Sequence, residues 1–135
     1  MKIFPELFNA LFTVRPRLSL HNRWHWEFNE LTGIDYPFEK YDQVIVSDFM
    51  WGGMENITLT HNSDRTMHDS RAQPDHSSEG LVAHELAHQW YGNMITTRNW
   101  SNIWLNEGFA TFFSRLYLTK DLGKDDGDYI RLGEI

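Results

Sequence analysis

The stretch His84-Glu85-Leu86-Ala87-His88 carries residue types that can hold a metal ion and act on a water beside it. In an α-helix, positions i and i+4 stand one turn apart on the same face, so the two imidazoles can grip one ion. Glu85 lies about a quarter-turn from His84 and can face a water on that ion without being a ligand. A catalytic zinc site takes three protein ligands and keeps one position open. The best third ligand is Glu107, in Trp104-Leu105-Asn106-Glu107-Gly108. Eighteen residues separate His88 from Glu107, enough for one helix to end and a second to return facing it. Asn106 is placed to hydrogen-bond a ligating imidazole or carboxylate and orient it.

The elements needed to position these groups are legible around them. Ser77 or Ser78 is placed to cap the first helix, with Glu79 favourable in its opening turn. Val82, Leu86 and Trp90 step by four, Ala83 and Ala87 allow close approach of neighbours, and Gly92-Asn93 supplies the stop. A second helix is expected from Asn102 to about Leu118. Leu105, Phe109, Phe112 and Leu116 would form its core stripe, with Glu107, Thr111 and Ser114 on another face. Upstream, residues 43–49 (QVIVSDF) read as a strand, and Met54 to Thr60 as a second one after Gly52-Gly53. Glycines there allow close backbone approach by a ligand, and an edge strand can hold an extended peptide as an added strand. A helix from Ser19 to about Leu31 ends at Thr32-Gly33. His21 and His25 are also four apart, but no acidic neighbour accompanies them, and they read as a surface pair. Residues 61–76 read as a polar loop whose His61, His68 and His76 are solvated or hydrogen-bonded to backbone, with Asp69 and Arg71 pairing to order it. Asp121 to Asp128 lacks the spacing and closing glutamate of a calcium loop, so it reads as a solvated helix end. Another helix is expected to begin at Tyr129.

HExxH, the later glutamate and Gly52-Gly53-Met54-Glu55-Asn56 together resemble the zinc aminopeptidase family of aminopeptidase N and leukotriene hydrolase, a gluzincin family. Its hallmarks are a G-[small]-M-E-N segment, HExxH and a glutamate eighteen residues further on. The resemblance runs from about Phe28 to about Leu118. It includes residues 36–42 (YPFEKYD) and Glu107-Gly108-Phe109-Ala110. It implies an α+β, thermolysin-like catalytic half-domain: a small sheet, then the HExxH helix and a second metal-bearing helix. It implies one zinc ion on His84, His88 and Glu107, with Glu85 as the catalytic base. It implies that Glu55 binds the free α-amine of a peptide substrate, with Gly52, Gly53, Met54 and Asn56 lining the substrate's path. A carboxylate paired with an ammonium selects chain ends over chain middles. The family's oxyanion tyrosine sits in a Y-x-K-G-like segment that these residues do not contain. Tyr91, Tyr117 and Tyr129 do not match it. Members of the family are several times longer, so the chain is expected to be part of a catalytic domain, residues 1–135 as one unit with a divergent segment at 1–18. Faces left bare in such a part would favour self-association. The alternatives are a related zinc endopeptidase and a zinc-binding, catalytically silent module.

Composition bounds the rest. With 41% hydrophobic and 23% charged residues the chain is globular rather than disordered. A net charge of -7 argues against nucleic acid or an anionic membrane as partner. The absence of cysteine excludes disulfides and thiolate ligands, so any metal must use imidazole and carboxylate. No apolar run reaches membrane-spanning length. Pro5 and Glu6 interrupt the apolar start and argue against a signal peptide. A soluble chain is expected, with the cytoplasm slightly favoured.

Overall fold

The computed structural model describes residues 27–69, 71–72 and 76–132. The expectations for residues 1–18, for a helix start at Ser19 and for His21 and His25 lie outside these residues. The described chain is mixed α and β. A helical segment at 27–32 (α1) leads to three strands: β1 (Asp42–Val46), β2 (Gly53–Met54) and β3 (Leu59–Ser63). Then come α2 (Glu79–Ala87), α3 (Trp104–Leu122) and α4 (Lys124–Leu132). Among the described residues, no helix is long and apolar enough to cross a membrane.

Gly33 stops α1 as expected: it takes φ 70° and returns its N–H to the Asn29 carbonyl at 2.9 Å. The strands form one sheet in the order β1-β3-β2. β1 runs parallel to β3, with Asp42 opposite Leu59 and Val46 opposite Ser63. β2 runs antiparallel on the other side, with Gly53 opposite Asn62 and Met54 opposite His61. The expected strand at 43–49 ends early, at Val46, because Asp48 turns the chain with φ 55°. The expected continuous strand at 54–60 is two strands broken by a turn. Leu59 donates to the Asn56 carbonyl at 3.0 Å, and Thr58 takes φ 61°. A β-branched residue in that conformation is one that strand propensity reads the other way. His61 consequently lies in β3 rather than in a loop, and Asp64–Thr66 forms a 3-10 turn. Asp69 does order the following segment, but by accepting the backbone N–H groups of Arg71 and Ala72.

The core sits between the sheet, α1, α2 and α3. Phe28, Leu86, Trp90, Ala110 and Tyr117 are fully buried. Phe28 stacks on Trp90 at 5.7 Å and on Tyr117 at 5.8 Å, and Tyr36 meets Trp90 edge-on at 5.3 Å. The Trp90 indole N–H donates to the Ile34 carbonyl at 3.0 Å, so its burial leaves no orphan donor. Removing such a ring to alanine typically costs about 3–5 kcal/mol. Val82, Leu86 and Trp90 all face inward, and Ala83 and Ala87 let α2 approach α3, as expected.

α3 differs from expectation in the face it buries. Ala110, Phe113, Ser114 and Tyr117 point inward, while Phe109, Phe112 and Leu116 are exposed, Phe112 by 54%. The reason is Glu107. To face α2 it must lie on the contact surface, and Ala110 and Ser114, one and two turns on, share that side. The larger apolar stripe is turned outward, where Trp104, Leu105, Gly108, Phe109 and Phe112 line an open groove. Gly123, at φ 97°, ends α3, and α4 begins at Lys124 rather than Tyr129.

Candidate metal centre and active site

The first ligand candidates are set by α2. Its N-terminus is tied twice: Ser77 Oγ accepts the Glu79 N–H at 3.2 Å, while Ser78 Oγ donates to the Thr66 carbonyl at 2.9 Å. His84 lies within α2, and His88 is the residue that closes it, still with helical φ and ψ. The one-turn spacing therefore holds, and the two rings meet edge-on with centroids 4.7 Å apart. Glu107 reaches them from the first turn of α3.

Three atoms converge. His84 Nε2 is 3.1 Å from His88 Nε2 and 3.2 Å from Glu107 Oε2, and His88 Nε2 is 3.4 Å from the same oxygen. These lengths match the edges of a tetrahedron whose centre lies about 2 Å from each corner, the usual zinc-ligand distance. The donor chemistry agrees. His88 Nδ1 lies 2.9 Å from the Tyr91 carbonyl. A carbonyl only accepts, so Nδ1 carries the proton and Nε2 offers its lone pair to the centre. Burial, followed by the neighbouring His88, holds His84 below its ordinary pKa, which favours its neutral, ligating form. A carboxylate oxygen and two imidazole nitrogens at these separations fit a cation between them, and two nitrogens with one carboxylate suit zinc.

Glu85 points from α2 toward the sheet and is only 4% exposed. Its Oε2 is buried without a hydrogen-bond partner among the described residues. Burial, then the charges of Glu55 and Glu107, push its carboxyl up to about 8. Such a group can hold or take a proton near neutral pH.

This shift has a consequence for stability. The unfolded chain loses the Glu85 proton near 4.5, whereas the folded chain keeps it until about 8. Between those values the folded state binds the extra proton, so its stability falls as pH rises and levels off above about 8. His84, with its depressed pKa, works in the opposite sense near 6.5 and is common to parent and variant. Urea unfolding of the metal-free chain is therefore expected to show a loss from about pH 5 to 8 that Glu85→Gln removes. Parallel pH profiles for parent and variant would contradict this placement of Glu85.

Gly52 and Gly53 lie where the sheet meets α2. A Cβ at Gly53 would stand 2.2 Å from Glu85 Oε1 and 2.5 Å from its Cδ, and one at Gly52 would meet Leu81 Cδ1 at 3.2 Å. The glycine pair thus lets the edge strand approach the Glu85 carboxylate. Glu55 is half-buried just past β2 and close enough for its charge to act on both His84 and Glu85. Met54 is exposed, and the exposed Asn56 turns its amide to His61 Nδ1 at 2.6 Å. Asn106 is buried but reaches Thr96 Oγ1 at 3.5 Å rather than a ligand. The partner of the His88 ring is instead the Tyr91 carbonyl.

Three residues behind the site were not singled out for this role from the sequence. Gly92, at φ 139°, holds a conformation that residues with a side chain rarely adopt, and a Cβ there would stand a tight 3.1 Å from His88 Nδ1. Gln89 and Asn93 both donate to the Glu55 carbonyl, at 3.1 and 2.6 Å. The only local signal was a polar, uncharged Gln89 beside the apolar face of α2.

A family model described as the peptidase family M1 domain matches residues 19–130. The chain is 43% identical over 98 residues to aminopeptidase M1 of Arabidopsis thaliana, covering 70% of this chain and 11% of the relative. It is 39% identical over 105 residues to glutamyl aminopeptidase of Bos taurus, again 70% and 11%. To aminopeptidase N of Bos taurus it is 42% identical over 85 residues, 60% and 9%. The chain spans about a tenth of the length of these curated relatives. With a family match that takes in both helices of the His84-His88-Glu107 cluster and the glycine-rich edge strand beside it, the chain belongs to peptidase family M1.

Proposed function

We propose that this chain is the metal-bearing part of a zinc aminopeptidase with a thermolysin-like arrangement of sheet and helices. The convergence of His84 Nε2, His88 Nε2 and Glu107 Oε2 within 3.1–3.4 Å carries the reading. The aminopeptidase names of its relatives support it.

His84, His88 and Glu107 would hold zinc. The ion supplies Lewis acidity and lowers the pKa of a water at its open position to roughly 7. Glu85 takes the proton of the attacking water and delivers it to the departing amine. Its buried carboxyl, raised to about 8, is placed to hold or release a proton near neutral pH, as both transfers require. Glu55 pairs with the substrate's α-ammonium and sets the first peptide bond over the metal ligands. Among the described residues β2 is an edge strand, which offers backbone groups to an extended substrate, and Gly52, Gly53, Met54 and Asn56 line that path.

The test is paired on one sample: zinc per chain, and hydrolysis of a free-amine aminoacyl amide with and without chelator. One zinc per chain and chelator-sensitive hydrolysis, restored by added zinc, is the expected result. Chains that bind no zinc would refute the reading. In Glu55→Ala, kcat/KM for free-amine substrates is expected to fall about 10- to 100-fold, the worth of one charge-assisted pair, with N-acetylated peptides unaffected. An equal loss on both would remove Glu55 from the anchor role.

A second reading, a zinc-binding segment without turnover, is favoured by one observation. Tyr117 is sealed in the core against Phe28 and supplies no oxyanion donor. One zinc per chain without hydrolysis would select it, since loss of one such donor typically costs about 100- to 1,000-fold.

A further inference from the structure

The Glu55 carbonyl and the Thr58 N–H are both held by a single buried side chain. Gln89 Nε2 donates to the Glu55 carbonyl at 3.1 Å, and Gln89 Oε1 accepts from the Thr58 N–H at 3.0 Å. Asn93 Nδ2 donates to the same carbonyl at 2.6 Å. Gln89 has no solvent exposure and directly follows the ligand candidate His88. Asn93 lies one turn further on, tied by its own N–H to the His88 carbonyl at 3.0 Å. The segment they grip is strained, because Thr58 holds φ 61°, where a β-branched residue is rarely found. Such a conformation persists only where its surroundings over-determine it, and it marks sites where position matters. Gln89 suits the task by chemistry. A carbonyl needs a donor and an N–H needs an acceptor, and a primary amide presents one of each in a single plane.

We infer that Gln89, assisted by Asn93, is a positioning residue that locks the Glu55–Thr58 turn onto the metal-bearing helix. It thereby fixes the reach between the amine anchor and the metal ligands. This rests on the reading of Glu55 as the amine anchor. Gln89 itself touches no substrate and acts through the main chain of Glu55.

The experiment uses the full chain loaded with zinc, as parent, Gln89→Met, Gln89→Glu and Glu55→Gln. Gln89→Met keeps the volume and removes both hydrogen bonds. Gln89→Glu keeps the acceptor for Thr58 but sets an oxygen against the Glu55 carbonyl. Zinc per chain, amide hydrogen exchange across residues 55–58, and kcat and KM for matched free-amine and N-acetylated peptides are measured on each. Both Gln89 variants are expected to keep one zinc. Exchange at Thr58 is expected to rise at least about tenfold in Gln89→Met, the order of one lost buried hydrogen bond. KM for the free-amine peptide is expected to rise about tenfold in both, with the N-acetylated peptide unchanged. A zinc-loaded Gln89→Met with parental exchange at Thr58, or with parental free-amine preference, overturns the inference. If Glu55→Gln also keeps the parental preference, the amine-anchor reading fails instead, and the lock is decided by the exchange alone. Should Gln89→Met not fold, Asn93→Ala removes the shorter of the two bonds to the Glu55 carbonyl from a half-buried turn and is read against the same outcomes.

Discussion

Glu85→Gln is expected to bind zinc as the parent does and to lose about 100- to 10,000-fold in kcat, the usual contribution of a positioned general base. The substitution is nearly isosteric, and Glu85 is not among His84, His88 and Glu107, the three residues whose atoms converge where a metal ion could be held. It also replaces a buried carboxyl whose ionisation is opposed by burial, by Glu55 and by Glu107. The metal-free variant should therefore be no less stable than the parent at neutral pH. Zinc titration and single-substrate kinetics on the same preparations check both halves. Undiminished hydrolysis would exclude Glu85 as the base. Lost zinc would mean that Glu85 belongs to the ligand set.

Gly53→Val is expected to lower activity by about 100-fold or more while leaving zinc binding intact, since misplacing a reacting group by about 1 Å can cost that much. A Cβ at Gly53 would lie 2.2–2.7 Å from the end of the Glu85 side chain. That end is flexible, so alanine is accommodated by a swing of the carboxylate. Valine adds two further methyl groups beside the same carboxylate, which a shift that accommodates one methyl does not provide for. Valine itself suits a strand, so backbone propensity does not explain a loss. The decisive measurement is the double variant. If Gly53→Val acts by displacing Glu85, it should cost little further activity in a Glu85→Gln background. Additive losses would mean that Gly53 serves the substrate path instead.

Much of this site is legible from spacing alone because its chemistry is written within single elements. His84 and His88 share a face since helical geometry puts i and i+4 together. Gly33 stops its helix because glycine takes positive φ without strain. Glu107 could be named from the sequence, but its consequence for α3 could not. Leu105, Phe109, Phe112 and Leu116 form the larger apolar stripe, and periodicity chooses the larger stripe. The structure buries Ala110, Phe113, Ser114 and Tyr117, because bringing Glu107 to the histidines fixes the rotation of α3. The strand reading of Met54 to Thr60 failed for a comparable reason. Nothing local announces that Thr58 will turn the chain. The amide that holds it there comes from Gln89, thirty-one residues away.

The sequence by itself determined the candidate ligand types, their order along the chain and the place of the Gly52-Gly53 pair before Glu55, since these follow from residue chemistry and short-range backbone geometry. Tertiary structure alone decided the closure of His84, His88 and Glu107 to within 3.4 Å and the contact of Gly53 with Glu85. It also decided the tautomer of His88 and the hold of Gln89 on the Glu55 carbonyl. The tautomer of His88 is set locally, by the turn that brings the Tyr91 carbonyl back to it, whereas the other three depend on the relative placement of elements far apart in the chain. That placement is set by packing around Phe28, Trp90 and Tyr117, not by any residue's neighbours in sequence.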